Sequence, residues 1–248
     1  YLNNFDEFSD DEDLVHADTW VCGTRTARMS VTDPALQTLP KSDKVVRNAF
    51  IPRELRRLIS MDADQIELRL MSFFADDPGL RAAFAAEQSF FVTVAEQVLG
   101  ETIDKEVDPR YKMIKSSIYA RLYGAGDAKI ARTAGVPVEV ITELNRGFDE
   151  SYPGFTRYMG ETARLIQQRI GDGEGAYVMS EGGRKLPVEE LKPYVGLNYQ
   201  IQCTAAEIFK RALIDLDAAG LGDYLLLPVH DEIIADVPAD QAEDIGKA

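Results

Sequence analysis

The chain has 248 residues, of which 45% are hydrophobic, enough to bury a sizeable core in one large domain or two modest ones. It contains no apolar run long enough to span a membrane, and its opening residues give no argument for secretion. Its two cysteines, Cys22 and Cys203, argue against a disulfide framework or a cysteine zinc site. The formal net charge of −15 argues, taken alone, against a protein that wraps nucleic acid, although local patches decide binding.

Acidic residues concentrate at both ends of the chain, where we expect solvated flanks. They are Asp6, Glu7, Asp10, Asp11, Glu12 and Asp13 at the beginning, and Asp236, Asp240, Glu243 and Asp244 at the end. The chain begins with Tyr1 rather than Met, which we interpret as the sign of a piece of a longer polypeptide.

The first part of the chain reads as strands followed by a helix. Residues 16–32 alternate and are rich in Thr and Val, which predicts a strand, and residues 33–43 predict a loop. A short strand from Leu58 to Asp62 follows, and a helix comes after it. The apolar face predicted for that helix consists of Ile66, Leu70, Phe73 and Phe74.

The remainder is helical until two late strands. Residues 81–170 show helical periodicity with breaks at glycines and prolines, and residues 171–187 predict a small hairpin. A long helix is predicted from Tyr194 to Gly220, followed by a hairpin in "LLLPVHDEII", in which Pro228 indicates an edge or an irregularity. Strands at both ends and helices between them predict an α+β fold, an antiparallel sheet interrupted by a helical insertion.

Two aspartates fall at the ends of predicted strands. Asp62 ends the first strand and Asp231 lies in the turn of the late hairpin, so both carboxylates emerge at one edge if these strands pair. Such neighbours repel unless a cation joins them, and hard oxygen ligands suit Mg²⁺ and phosphoryl transfer. His230 is the only imidazole nearby, which is too few nitrogen or sulfur ligands for a zinc site. Taken singly, Asp62 also fits a helix N-cap, and the hairpin fits a solvated turn.

A stripe of lysines and tyrosines marks one predicted helix. Lys115, Tyr119 and Tyr123 are spaced by four residues and drift only about 40° per step, and Lys112 lies within roughly 60° of the same line. The stripe predicts phosphates bound by the lysines and a base or sugar packed on the rings. The alternative is a lysine whose stem covers a core stripe.

Three stretches in this order resemble motifs A, B and C of the family A DNA polymerases, the bacterial polymerase-I-like family. They are "DADQIELRL" from Asp62, "KSSIYARLYG" from Lys115 and "PVHDEII" from Pro228. Other stretches, "TRTARMSVTDPALQTLP", "ESYPGF" and "NYQIQCTAAEIFKRAL", are also similar to the family, so the resemblance runs from about His16 to the end.

The resemblance implies a right-hand polymerase. We expect the palm at residues 1–80 and 188–248 and the fingers at 81–187, with the thumb and any exonuclease domain outside this chain.

The resemblance also implies a reaction. The reaction is template-directed addition of deoxynucleotides to a primer 3′ end by two-metal-ion nucleotidyl transfer, with release of pyrophosphate, in DNA replication. The implied cofactors are two Mg²⁺ ions, replaceable by Mn²⁺. The implied partners are primer–template DNA, deoxynucleoside triphosphates and unidentified accessory proteins, with no membrane. The acidic charge and short, divergent fingers suggest a phage enzyme in a host bacterial cytoplasm.

The catalytic roles follow from the motifs residue by residue. Asp62 and Asp231 match the metal-binding aspartates, with the backbone carbonyl of Ala63 as a further ligand. Glu232 matches a supporting acidic neighbour. Lys115 matches the lysine that contacts the triphosphate and protonates the pyrophosphate.

Other matched residues contact the nucleotide and the DNA. Glu67 matches the glutamate that crowds the 2′ position of the sugar, and Gln65 belongs with it to the nucleotide-binding group. Minor-groove contacts test pairing geometry rather than sequence, because the acceptors there are common to all base pairs. The residues matched to template and primer are Tyr123, Arg28, Asn198, Gln202 and His230.

The chain departs from the family pattern at several positions. Tyrosine at position 119 implies weak discrimination against chain terminators. Tyr111 replaces an arginine, so we predict that Lys112 supplies the missing phosphate contact. Phe91 stands near a phosphate-binding histidine of the family, and Asp64 replaces a serine.

Two rival functions are weighed against the polymerase. A single-subunit RNA polymerase is disfavoured by Glu67. A non-catalytic DNA-binding or scaffold module is disfavoured by the presence of Asp62, Lys115 and Asp231.

Overall fold

Three small antiparallel sheets and a series of helices make up the computed structural model, which describes residues 2–39 and 44–247. The strands are β1 (Asp18–Trp20), β2 (Ser30–Thr32), β3 (Arg56–Asp62), β4 (Tyr177–Met179), β5 (Lys185–Pro187), β6 (Leu225–Val229) and β7 (Glu232–Pro238). The helices are α1 (Leu2–Glu7), α2 (Lys44–Asn48), α3 (Ile66–Ala75), α4 (Pro78–Ala85), α5 (Phe90–Leu99), α6 (Pro109–Leu122), α7 (Asp127–Ala134), α8 (Val138–Ser151), α9 (Pro153–Gly171), α10 (Gly196–Leu216) and α11 (Ala242–Ile245). The predicted α+β class is confirmed.

The chain divides into two compact units. The sheet unit comprises Tyr1–Ile66 and Gln202–Ala248, and the helical unit comprises Glu67–Ile201. The helical segment thus interrupts the sheet unit in sequence, as predicted. The assignment of palm and fingers at residues 1–80, 81–187 and 188–248 stays a prediction. No helix among the described residues is long and apolar enough to cross a membrane.

The central sheet of the sheet unit has the strand order β3-β7-β6, antiparallel throughout. Ile233, Ala235 and Val237 alternate along the middle strand and are buried, which explains why this sequence forms a half-buried strand. Pro228 lies in the edge strand β6, which also has a register shift between Leu225 and Leu227. An edge is where proline is tolerated, because its missing N–H costs no ladder bond there, and the prediction is confirmed.

Asp236 corrects the expectation that all terminal acidic residues are solvated. It is 1% exposed, and its carboxylate lies 2.7 Å from Nε of Arg53 and 2.8 Å from Nε of Arg56. A buried charge is tolerated only when it is paired, and these two arginines provide the pairing. By contrast, the acidic run from Asp10 to Asp13 is exposed as expected.

The prediction of one strand over residues 16–32 is wrong in its middle. Only β1 and β2 are extended, and they pair across an intervening turn. In that turn the Thr24 hydroxyl accepts a hydrogen bond from the Arg28 backbone N–H at 3.0 Å. Such local side-chain-to-backbone bonds compete with a ladder. The next predicted loop contains a short 3₁₀ turn, Leu36–Thr38, and its last residues, 40–43, lie outside the described residues.

Glycines end the helices of the helical unit where the sequence predicted breaks. Gly100 and Gly135 follow α5 and α7 with φ of 72° and 70°, the left-handed conformation that glycine adopts without a steric penalty. The predicted hairpin of residues 171–187 is present as β4 and β5. Large side chains that are almost fully buried form the core: Phe91, Ile114, Phe148, Tyr152 and Phe155.

The apolar face predicted for α3 is confirmed at Leu70, which is buried, and wrong at Phe73. Phe73 is 59% exposed, whereas Leu68, Met71 and Ala75, also spaced by three and four residues, are buried. Two overlapping apolar faces are present on this helix, and periodicity alone does not choose between them. The long helix predicted from Tyr194 to Gly220 is confirmed as α10, which starts at Gly196 and is followed by a π-helical turn that contains Gly220 at φ 80°.

Candidate active site

The turn between β6 and β7 consists of His230 and Asp231, because Val229 and Glu232 are register partners. His230 has φ of 60°. Positive φ is uncommon outside glycine and costs about 1–3 kcal/mol where the surrounding structure imposes it, and such residues cluster at functional sites. The turn is therefore more than a generic solvated connection, for which Gly or Asn would be the ordinary choice.

The two strand ends that carry the predicted aspartates are adjacent in the backbone of the sheet unit. Asp62 is the register partner of Glu232 across the β3–β7 ladder, and the Ala63 N–H donates a hydrogen bond of 3.1 Å to the Asp231 carbonyl. The Ser60 hydroxyl donates to the Glu232 carboxylate, which holds that side chain on the face shared by Ser60 and Asp62. The predicted group of Asp62, Ala63, Asp231 and Glu232 is thus contiguous.

The N-cap interpretation of Asp62 is wrong. Asp62 is the last residue of β3, and α3 begins at Ile66, so Gln65 rather than Asp62 directly precedes the helix. Asp62 occupies the end of a strand that pairs with β7, where its register partner is Glu232.

These donors fit a hard divalent cation. Carboxylates directly opposite each other on a sheet repel, and a cation between them removes that cost. The Ala63 carbonyl accepts only a long bond, 3.3 Å, from the Ile66 N–H, and a second lone pair remains for a metal. Within the described ranges no three His, Cys, Asp or Glu side chains form a ready-made metal cage. Mg²⁺ commonly uses one or two carboxylates and completes its shell with water and phosphate oxygens, so this small donor set suits it.

Arg28 and His230 adjoin Asp231. A shallow cavity in the sheet unit is lined by Arg28, His230, Asp231 and apolar residues of α10, among them Phe209. Gln202, also predicted to contact DNA, accepts a hydrogen bond of 3.2 Å from the Thr26 hydroxyl.

Helix α6 presents the lysine–tyrosine stripe to solvent. Lys112 and Lys115 are exposed and Tyr123 is 43% exposed, whereas Ile114, Ile118 and other residues of the opposite face are buried. The exposure of Lys112, Lys115 and Tyr123 argues against the core-stripe alternative, whereas Tyr119 is half-buried. The helix starts at an N-cap, Asp108, whose carboxylate accepts from the Arg110 N–H at 2.9 Å. Hydrogen bonds from the Arg110 side chain lower the pKa of the Asp108 carboxyl.

Phe91 lies beneath the middle of the stripe. It is 1% exposed, with the Lys115 ammonium 5.5 Å from its ring centroid and the Tyr119 ring at 6.1 Å. Tyr111 meets Phe91 edge to face at 5.8 Å, and its hydroxyl is hydrogen-bonded to the Ser89 hydroxyl at 3.1 Å. Two departures from the family pattern, at positions 91 and 111, thus pack against each other, which sequence reasoning missed because each was considered alone.

Glu67 and Tyr123 form a pair within the helical unit. Glu67 is 6% exposed, and the Tyr123 hydroxyl donates to its carboxylate at 2.6 Å. Asn198, predicted to contact DNA, has a buried side-chain amide nitrogen with no hydrogen-bond partner among the described residues.

Gln65 and Asp64 interact with each other in the sheet unit. Gln65 has φ of 54°, and its side-chain amide donates to the carboxylate of Asp64 at 3.0 Å. The carboxylate of Asp64, which replaces the family's serine, thus accepts a hydrogen bond from the side chain of Gln65.

Arg121 is a positioning residue that the sequence did not reveal. Its guanidinium donates to Asp149 at 2.6 Å and lies 5.6 Å and 5.7 Å from the ring centroids of Phe148 and Phe155. The side chain is 12% exposed and fixes the C-terminal end of α6 against α8 and α9. Its place two residues before Tyr123 was the only signal in the sequence.

Comparisons with known proteins agree with these motifs. The family model described as "DNA polymerase family A" matches residues 1–248. The chain is 35% identical over 242 residues to a DNA polymerase of Mycobacterium phage D29, with 98% of this chain and 39% of that protein covered. It is 31% identical over 234 residues to DNA polymerase I of Deinococcus radiodurans, with 89% of this chain and 24% of that protein covered. The chain therefore spans about two fifths or less of these relatives' length.

One solved structure has the same fold. It is described as the POL domain of Pol1 from M. smegmatis in a complex with DNA primer–template and dNTP. The TM-score is 0.85 at 24% sequence identity, and the match covers 99% of this chain and 46% of that one. The right-hand polymerase fold expected from the motifs is confirmed. With the whole length matched by the family model, the chain belongs to DNA polymerase family A.

Proposed function

We propose that this chain carries the nucleotidyl-transfer site of a template-directed DNA polymerase that extends a primer 3′ end with deoxynucleotides and releases pyrophosphate. The observation that carries the proposal is that Asp62 ends β3 directly before Ala63, whose N–H donates a hydrogen bond to the carbonyl of Asp231. Relatives named DNA polymerase support the same reaction class. DNA replication is the process in which we place this reaction.

Family A polymerases use divalent metal ions. In this chain Asp62, Asp231 and the Ala63 carbonyl would hold them, with Glu232 as the acidic neighbour. Two Mg²⁺ ions there, or Mn²⁺ ions in their place, would lower the pKa of the primer hydroxyl and stabilise charge on the triphosphate. Glu232, whose carboxylate accepts a hydrogen bond from Ser60, directly follows Asp231. Its negative charge would make the electrostatic potential at the site more negative and so favour cation binding.

The exposed stripe of α6 is the proposed nucleotide-binding face. Lys115 and Lys112 are exposed ammonium groups one turn apart that suit the phosphates, and Lys115 would donate a proton to pyrophosphate as it leaves. Tyr119 would pack against the sugar. Glu67, held by Tyr123, would occupy the space that a 2′-hydroxyl needs, with Gln65 in the same motif contributing to the nucleotide site.

Primer–template DNA is the proposed macromolecular partner. The M. smegmatis structure contains DNA primer–template and dNTP, which supports this assignment. Arg28 and His230 adjoin Asp231 and would contact the primer, while Tyr123 would lie at the templating position. Gln202 and Asn198 would donate to minor-groove acceptors shared by all base pairs. The sheet unit would then form the palm and the helical unit the fingers of an enzyme acting in a bacterial cytoplasm with accessory replication proteins.

The test is magnesium-dependent primer extension by the full-length protein. We expect Asp62→Asn and Asp231→Asn each to lower the rate by more than about 100-fold, because even outer-shell partners of metal ligands are worth about 10- to 100-fold. Asp240→Asn is a matched control, an exposed carboxylate of the same unit beyond β7, and should extend primers normally. Robust synthesis by either active-site variant would refute the two-carboxylate site.

The same assay distinguishes the rival functions. Preference for ribonucleotides would identify an RNA polymerase, whereas the buried Glu67 predicts preference for deoxynucleotides. DNA binding without extension, at any metal concentration, would identify a non-catalytic module.

A further inference from the structure

Tyr194 lies against the end of α6. It belongs to a short 3₁₀ turn, Pro193–Val195, immediately before α10, and 47% of its surface is exposed. A β-carbon built on Gly124 would lie only 2.4 Å from Cδ2 of the Tyr194 ring. Gly124 also has φ of 79°, so both its backbone conformation and the approach of this ring require glycine there.

Gly124 directly follows Tyr123 in the chain. Tyr123 is 43% exposed, and its hydroxyl is fixed by Glu67. Two half-exposed tyrosines therefore adjoin the same glycine, one through the peptide bond and the other through its ring. Among the residues that the structure describes, the Tyr194 hydroxyl has no hydrogen-bond partner, so packing alone holds this ring.

The surroundings of Tyr194 favour a base over a phosphate. The nearest cation in sequence, Lys192, is already paired with Glu189 at 2.6 Å. A flat, half-exposed ring suits stacking with a nucleobase, which has a π-face whatever its identity.

We propose that Tyr194, next to Tyr123 in the fold, stacks on the first unpaired base of the template strand, which is the templating base. Nothing in the motif pattern assigns a role to this residue. The proposal rests on the proposed DNA-polymerase function, since it supplies that site with a subsite for single-stranded template.

The experiment compares three DNA substrates by fluorescence anisotropy without added nucleotide. One is a primer–template with a single-stranded template overhang, one has an abasic site in place of the first unpaired base, and one is a blunt duplex. For the wild-type, full-length protein we expect the intact overhang to bind more tightly than the abasic one. In Tyr194→Ala and Tyr194→Leu this preference should fall by about five- to 100-fold, the size of one base–aromatic stack.

Two controls separate stacking from folding. Tyr194→Phe keeps the ring and should keep the preference. Phe73→Ala removes a comparably exposed ring, 59%, elsewhere in the helical unit and should also keep it. Thermal unfolding of each variant checks that the fold is intact.

The proposal is overturned if wild-type protein does not distinguish the intact from the abasic overhang, or if Tyr194→Ala and Tyr194→Leu keep the preference. Its failure is distinguishable from failure of the proposed function. Normal primer extension by a wild-type protein that shows no base preference removes only the role of Tyr194, whereas a base preference that depends on Tyr194, without any extension, removes only the polymerase activity.

Discussion

Replacing Tyr123 with phenylalanine should destabilise the helical unit by about 1–2 kcal/mol. The substitution removes only the hydroxyl that donates to Glu67 at 2.6 Å. A hydrogen bond to a charged group contributes about 1.5–3 kcal/mol, and the value falls toward the lower end here because Tyr123 is 43% exposed and water can replace part of the bond. The buried position of Glu67, 6% exposed, keeps the effect well above zero.

Urea unfolding of Tyr123→Phe, Glu67→Gln and the double variant measures the pair directly. With a denaturant slope of about 2 kcal/mol/M, a loss of about 1.5 kcal/mol moves the midpoint by roughly 0.7 M. The double-mutant cycle should give a coupling free energy of about 1 kcal/mol or more. Tyr194→Phe, which removes a hydroxyl without a partner in the described chain, should leave the midpoint unchanged.

The same variants connect stability with sugar selection. If Tyr123 holds Glu67 in place, then Tyr123→Phe should lower the ratio of deoxynucleotide to ribonucleotide incorporation while Tyr194→Phe does not. A coupling free energy near zero would refute the reasoning. It would mean that the hydrogen bond between Tyr123 and Glu67 is no more stable than the hydrogen bonds that each group makes to water.

Three further predictions concern α6. Tyr119→Phe should raise discrimination against nucleotides that lack a 3′-hydroxyl, measured as terminator use in primer extension; unchanged use would contradict the role of this hydroxyl. Lys112→Ala should raise the KM for deoxynucleotides by about two- to fivefold with little change in kcat, since an exposed charge contributes about 1 kcal/mol or less; an unaltered KM would remove Lys112 from the site. The Asp108 carboxylate, whose pKa is lowered by hydrogen bonds from Arg110, stabilises the fold above the unfolded-state pKa of about 3.9, and this stabilisation is lost as pH falls through the lower folded-state pKa. Thermal stability of Asp108→Asn should therefore fall less steeply below about pH 4 than that of wild type, and parallel profiles would count against it.

Sequence reasoning was most successful where one periodicity or one spacing dominated. An apolar run interrupted by His230, Asp231 and Glu232 identified β6 and β7, and the expectation that Asp62 and Asp231 lie near each other followed from strand pairing alone. Glycines at the ends of α5 and α7 were visible because a left-handed residue is needed there.

The failures share a physical cause, which is that tertiary partners decide between local options of similar energy. Helix α3 carries two apolar faces, and packing buried Met71 rather than Phe73. Asp236 looked solvated because its two arginines are distant in sequence. The contact between Phe91 and Tyr111 joins two helices and has no signature in either one.

The buried ion group around Asp236 has a consequence for the reacting end of the same strand. Asp236 and Glu232 lie on one face of β7, opposite Leu58 and Asp62 of β3. Because side chains alternate along a strand, sliding β7 by a single residue would turn Asp236 away from Arg53 and Arg56 and also carry Glu232 off its position opposite Asp62. The ion pairs of Asp236 therefore stabilise the register in which Glu232 lies opposite Asp62. They do so without any bound nucleotide or metal.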